Sequence, residues 1–116
     1  MRWVLKECVS DVKLITPEVV KRQYQLSRIK GTTWVLYSTL KQAEGALKLR
    51  DRFSLIRQPA LFIWGEKDII FPANVGETLH QAITGSQLRV IEESGHIPMW
   101  ETPDEVNQAI LSFLQE

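Results

Sequence analysis

An α/β chain is what the sequence predicts, and two observations carry the prediction. Pro59-Ala60-Leu61-Phe62-Ile63-Trp64-Gly65 is an apolar run bounded by proline and glycine, and Leu88-Arg89-Val90-Ile91 reads as a second, short strand. Each is followed by a helical pattern, so the chain from Pro59 onward reads strand, helix, strand, helix. Two strands joined by a helix form a parallel, right-handed unit. Standing alone, that unit would leave two unpaired edges and uncovered apolar surface. It reads as one end of a larger sheet.

The elements follow in order. A short helical piece is expected between Met1 and Leu14. Thr16-Pro17-Glu18 starts a helix, with an N-cap threonine, proline at the first helical position and an acid in the first turn. That helix should run to about Ile29 and stop near Gly31. A second helix carries Leu36, Leu40, Ala43 and Leu47 on one stripe, with Trp34 and Tyr37 at its edge. The run after Pro59 is apolar at consecutive positions, as in strands buried on both faces of a parallel sheet. Pro72 opens a helix with Val75, Leu79, Ala82 and Ile83 on one face, closed near Gly85. Thr102-Pro103-Asp104-Glu105 reads as a capping box, and Val106, Ile110, Phe113 and Leu114 supply the stripe of a last helix.

Composition narrows the function. The 116 residues are one domain at most, 44% apolar and 24% charged, enough to bury about 65% of the unfolded surface in a compact fold. Lys plus Arg equal Asp plus Glu at 14 each, and the basic residues are scattered. No field of one sign recruits nucleic acid or an anionic membrane, so neither partner is expected. No stretch approaches the roughly 20 apolar residues of a membrane span, and charges interrupt the N-terminus too often for a signal peptide. The single cysteine, Cys8, excludes an internal disulfide and a cysteine-based zinc site, and a lone thiol suits the cytoplasm. The two histidines have no metal-binding spacing, so neither metal nor cofactor is expected.

The chemistry gathers in two loops. Gly65-Glu66-Lys67-Asp68 puts a carboxylate just past the first strand, and Glu93-Ser94-Gly95-His96-Ile97-Pro98 puts an imidazole just past the second. Catalytic groups collect at that edge of open α/β sheets. Parallel neighbours lie only about 5 Å apart, so Asp68 and His96 should meet. Such a pair fixes the histidine tautomer and steadies the imidazolium, which makes a general base. Alone, Asp68 would be an ordinary turn residue and His96 a structural histidine; their pairing is what favours chemistry.

Ala60-Leu61-Phe62-Ile63-Trp64-Gly65-Glu66-Lys67-Asp68, followed by Ser94-Gly95-His96-Ile97-Pro98-Met99-Trp100-Glu101, resembles the end of an α/β-fold hydrolase. In that family a Trp-Gly-x-x-Asp turn and a later Gly-His-x-x-x-x-Glu supply acid and histidine, in the order nucleophile, acid, histidine. The resemblance covers Arg57 to Glu116 and, through helices similar to a lid, Thr16 to Arg50. It implies lid (cap) helices and a connection over 1–56 and the C-terminal βαβα portion of the core over 57–116. It also implies that Asp68 is the triad acid and His96 the base, while Glu101 holds the loop. A nucleophile elbow, Gly-x-Ser-x-Gly or its equivalent, is absent: neither Cys8 nor any serine sits between glycines at that spacing. The expectation is thus a fragment of a hydrolase of esters, thioesters or similar acyl bonds, acting on a small apolar molecule and inactive alone. Carbon–carbon, epoxide and haloalkane hydrolases share the pattern, and a non-catalytic binding or truncated member of the fold is the alternative. Trp34, Tyr37 and Trp100 are candidates for an apolar substrate pocket, with aromatic core packing as the equal alternative. His80 reads as solvated, Glu66 with Lys67 as a solvated turn pair, and the sheet edges as sites for self-association.

Overall fold

The structure, a computed structural model, describes residues 1–46 and 52–115. Helix α1 (Arg2–Glu7) and a 3-10 turn (Val12–Leu14) form the N-terminal piece. Helix α2 (Pro17–Ser27) starts as expected, Thr16 Oγ1 accepting a hydrogen bond from Val19 N at 3.3 Å. Helix α3 covers Thr32–Ala46; Leu47, the end of its predicted stripe, lies outside the described residues. Strands β1 (Leu61–Gly65) and β2 (Gln87–Ile91) pair in parallel, Leu61 opposite Gln87 and Gly65 opposite Ile91. Helix α4 (Ala73–Ala82) joins them, and α5 (Pro98–Glu101) and α6 (Pro103–Leu114) close the chain.

Packing holds β1 against α4 closely. A Cβ at Gly76 of α4 would stand 2.9 Å from the Trp64 ring, so glycine lets the helix settle on the indole. Trp64 Nε1 in turn donates to the Phe71 carbonyl at 2.6 Å, fixing the loop beyond β1. Among the described residues, Val9, Ile15, Ile83, Ile91 and Val106 are the buried apolar side chains. They come from the N-terminal segment, the α4–β2 connection, β2 and α6.

Three expectations need correction. The capping box at Thr102 does not form: its hydroxyl donates to the Pro98 carbonyl at 3.2 Å and caps nothing. The cause is α5, a turn not foreseen, whose C-terminal end Thr102 occupies. Second, β1 is half-buried from Leu61 to Trp64 and fully buried only at Gly65, because β2 is its one strand partner among the described residues. Third, the stripes meet little: Leu36 and Leu40 are 59% and 64% exposed, and Leu114 of α6 is 72% exposed.

The whole surface tells the same story. It measures 9043 Å², whereas a compact monomer of 13.4 kDa exposes about 6,500 Å². Buried surface is therefore about 53% of the unfolded value, short of the roughly 65% a compact chain reaches. The radius of gyration is 16.2 Å, against about 13 Å for a compact chain of this length. The excess, about 2,500 Å², has the size of a permanent subunit interface.

Candidate active site

The ends of the two strands are locked together by backbone. Glu66 N donates to Ile91 O at 2.9 Å and Lys67 N to Ser94 O at 2.8 Å, which carries the parallel ladder into the loops. Gly65 sits so close to the second loop that a Cβ there would lie 1.9 Å from Gly95 O and 2.5 Å from Ser94 O. Only glycine permits that approach, and the approach brings Asp68 beneath His96.

Asp68 is 6% exposed. Its Oδ1 accepts from Ile70 N and Phe71 N, both at 2.9 Å, as a turn aspartate does. Its Oδ2 is left for His96 Nδ1, 2.9 Å away. A carboxylate offers no proton, so Nδ1 carries one and the lone pair of the neutral ring is on Nε2. Among the described residues Nε2 has no hydrogen-bond partner, and the His96 side chain is 33% exposed. Phe71 packs against the imidazole at 5.5 Å between ring centroids, tilted by 48°. The pair opens on a hollow of about 140 Å³ lined by Ile63, Trp64, Phe71 and Pro98. Enclosed ligand sites run to about 300–1,000 Å³, so this is one wall of a site rather than a closed one.

The N-terminal segment, expected only to hold a short helical piece, lies against the histidine loop. His96 N donates to Cys8 O at 3.0 Å. Glu101 Oε1 accepts from Gly95 N at 2.7 Å, while its Oε2 accepts from Ser10 N at 2.7 Å and from Ser10 Oγ at 2.8 Å. Glu101 thus holds the loop, as the resemblance implied, and also ties it to residues 8–11. Ser10 Oγ additionally reaches the Glu93 carbonyl. Burial, then the negative charges of Asp68 and Glu7, push the Cys8 thiol up from its ordinary value. A protonated, half-buried thiol is a poor nucleophile.

The remaining candidates sit apart. Trp34 and Tyr37 are 71% and 62% exposed on α3 and line no part of the hollow, nor do they pack in a core. Trp100 is half-buried on α5, beside the histidine loop in sequence but outside the hollow's lining. His80 is exposed, its Nδ1 2.9 Å from Ser86 Oγ. Lys67 pairs with Glu93 across the two loops rather than with Glu66. Ser94, two residues before His96, is wholly buried and presents nothing to a substrate. Among the described residues no group of three His, Cys, Asp or Glu side chains is placed to hold a metal ion, and no helix is long and apolar enough to cross a membrane.

Known proteins share this arrangement of chain. The family profile for the alpha/beta hydrolase fold matches residues 3–103. An uncharacterized hydrolase of Bacillus subtilis, YugF, is 30% identical over 98% of this chain and 44% of its own length. A 2-hydroxy-6-oxononadienedioate/2-hydroxy-6-oxononatrienedioate hydrolase of Klebsiella pneumoniae is 38% identical over 54% of this chain and 22% of its own. Among solved structures, the meta-cleavage product hydrolase of Pseudomonas fluorescens IP01 superposes on 99% of the chain with a TM-score of 0.85 at 22% identity, over 44% of its length. The chain spans less than half of each of these proteins.

Proposed function

This chain belongs to the alpha/beta hydrolase fold family, and on that footing we propose that it supplies the acid and the general base of a hydrolase whose nucleophile lies outside these 116 residues. One observation carries the reading: Asp68 Oδ2 accepts the Nδ1 proton of His96 at 2.9 Å, leaving Nε2 at a hollow open to solvent. In the reaction, Nε2 takes the proton from a hydroxyl as that oxygen attacks a carbonyl carbon. The resulting imidazolium, steadied by Asp68, returns the proton to the leaving group as its bond to that carbon breaks. Water then repeats both steps on the acyl intermediate.

The substrate class is a small, largely apolar molecule with a carbonyl-centred scissile bond: an ester, a thioester or another acyl group. The Klebsiella pneumoniae relative, named for an oxo-dienedioate, widens the class to carbon–carbon bonds next to a ketone. Residues 1–56 serve as lid helices and their connection to the sheet, and residues 57–116 as the C-terminal βαβα portion of the core. The exposed Trp34 and Tyr37 give the lid an apolar surface to turn toward such a molecule. Cys8, a free thiol, suits a cytoplasmic location.

The test uses a protein that joins this chain to a nucleophile-bearing segment. His96→Ala should lower turnover by about four to six orders of magnitude, as removal of a triad base does. Turnover within about tenfold of the parent would remove His96 from the mechanism.

A further inference from the structure

We propose that Glu101 is a positioning residue for His96, acting by clamping residues 8–11 across the loop that carries the imidazole; the proposal rests on reading His96 as the general base. Glu101 is the last residue of α5, five positions beyond the histidine. Its carboxylate faces two ways. Oε1 takes Gly95 N at 2.7 Å, the amide immediately before His96. Oε2 takes Ser10 N at 2.7 Å, Ser10 Oγ at 2.8 Å and, more weakly, Asp11 N at 3.4 Å. Each carboxylate oxygen has about two acceptor positions, so Oε2 is fully engaged by residues 10 and 11 while Oε1 holds the single amide of Gly95.

The clamp acts on both peptide groups that flank the Gly95 Cα, the second of which leads directly into His96. Glu101 fixes the first through Gly95, and the strap fixes the second by taking His96 N onto Cys8 O at 3.0 Å. Gly95 shows how tightly they close: a Cβ there would meet Ser10 N at 2.9 Å, Glu101 Oε1 at 3.0 Å and the Val9 carbonyl carbon at 3.0 Å. The loop also carries Glu93 at φ 57°, a left-handed conformation that a non-glycine residue holds only when its surroundings impose it. The Ser10 hydroxyl, whose single proton is shared between the Glu93 carbonyl and Glu101 Oε2, is one such restraint.

Asp68 alone leaves the ring free to follow its backbone. A hydrogen bond at Nδ1 fixes which nitrogen is protonated and which way the ring faces, but not where the Cα sits. A displacement of about 1 Å at a reacting group costs on the order of a hundredfold in rate. The Glu101 clamp supplies the missing restraint. It also joins the histidine loop to the segment that leads into α2, so a shift of that helix reaches the imidazole through Ser10.

The experiment is proton–nitrogen NMR on the uniformly labelled 116-residue chain, its Glu101→Ala, Glu101→Gln and Ser10→Ala variants compared with the parent. The reporter is the low-field Nδ1 proton of His96, with His80 and the α6 amides as internal controls. In Glu101→Ala that signal should broaden beyond detection while the controls hold, and Gly95 N–H exchange should quicken about tenfold or more. Glutamine keeps one acceptor and places a donor at the other oxygen, so it should restore either Gly95 or Ser10 but not both. Ser10→Ala removes a single hydroxyl and should broaden the signal partially, which keeps the test decisive if Glu101→Ala does not fold. An Nδ1 signal as sharp in the variants as in the parent, with unchanged Gly95 exchange, overturns the clamp alone. Ring nitrogen shifts that place the lone pair on Nδ1 in the folded parent overturn the Asp68–His96 pair, and the clamp with it.

Discussion

At Asp68 the two carboxylate oxygens have separate tasks. Oδ1 closes the turn through Ile70 and Phe71, and Oδ2 meets the imidazole. Asp68→Asn keeps the shape but can present an amide N–H to Nδ1, which then carries the lone pair and leaves the wrong tautomer at the hollow. Turnover in a complete enzyme should fall by about 10⁴, and Nδ1 and Nε2 nitrogen shifts should exchange character in the spectrum. Gly65→Ala sets a methyl against Gly95 O at a spacing of 1.9 Å, backbone against backbone, with no flexible side chain to yield. It should cost at least about 2 kcal/mol, read by denaturant unfolding. Cys8 should alkylate with iodoacetamide more slowly at pH 8 than a free model thiol, since its raised pKa leaves less thiolate. Equal rates would show the thiol unburied. Asp68 and His96 were legible in the sequence because each closes a strand within its own short motif. The partnership of Glu101 with Ser10 was not: its members stand 91 positions apart and neither sits in a pattern that names the other.

Among the elements, the two Thr-Pro starts separate local signal from tertiary outcome. Both read as N-caps. Thr16 is one, accepting from Val19 N, whereas the Thr102 hydroxyl is spent on the Pro98 carbonyl. Proline at 98 permits a helical turn directly after the histidine loop, and that turn claims Thr102 as its own end. Thr16→Ala should speed Val19 amide exchange by roughly fivefold, the worth of a cap near 1 kcal/mol; Thr102→Ala should leave the first-turn amides of α6 unchanged. Glu18 adds a pH dependence to the same turn. A hydrogen bond from its own amide, then one from Thr16, hold its carboxyl below the usual range. Its contribution is therefore present above the unfolded pKa and lost as pH falls through the folded one, so α2 should fray from its N-terminus in acid. The strands were legible as a parallel pair from their spacing and apolar content. Their consecutive apolar residues suggested burial on both faces, whereas the half-buried state agrees with the open edges that a two-strand unit standing alone was expected to leave.

For the molecule as a whole, the decisive quantity is the surface of 9043 Å², about 2,500 Å² more than a compact monomer needs. Trp3, Trp34, Tyr37 and Leu114 all stand in water, and β1 has an open edge among the described residues. Isolated, the chain should self-associate, eluting in light-scattering chromatography above its 13.4 kDa. A monomer with a sharp thermal transition would show that these 116 residues satisfy themselves. The claim beneath all of this is that the chain holds an acid and a base with no nucleophile. The most direct measurement is the intact mass of the 116-residue chain after treatment with a fluorophosphonate probe. No adduct is the predicted result. A stoichiometric adduct at one serine, lost when that serine is replaced by alanine, would contradict it and place a complete catalytic set within the chain.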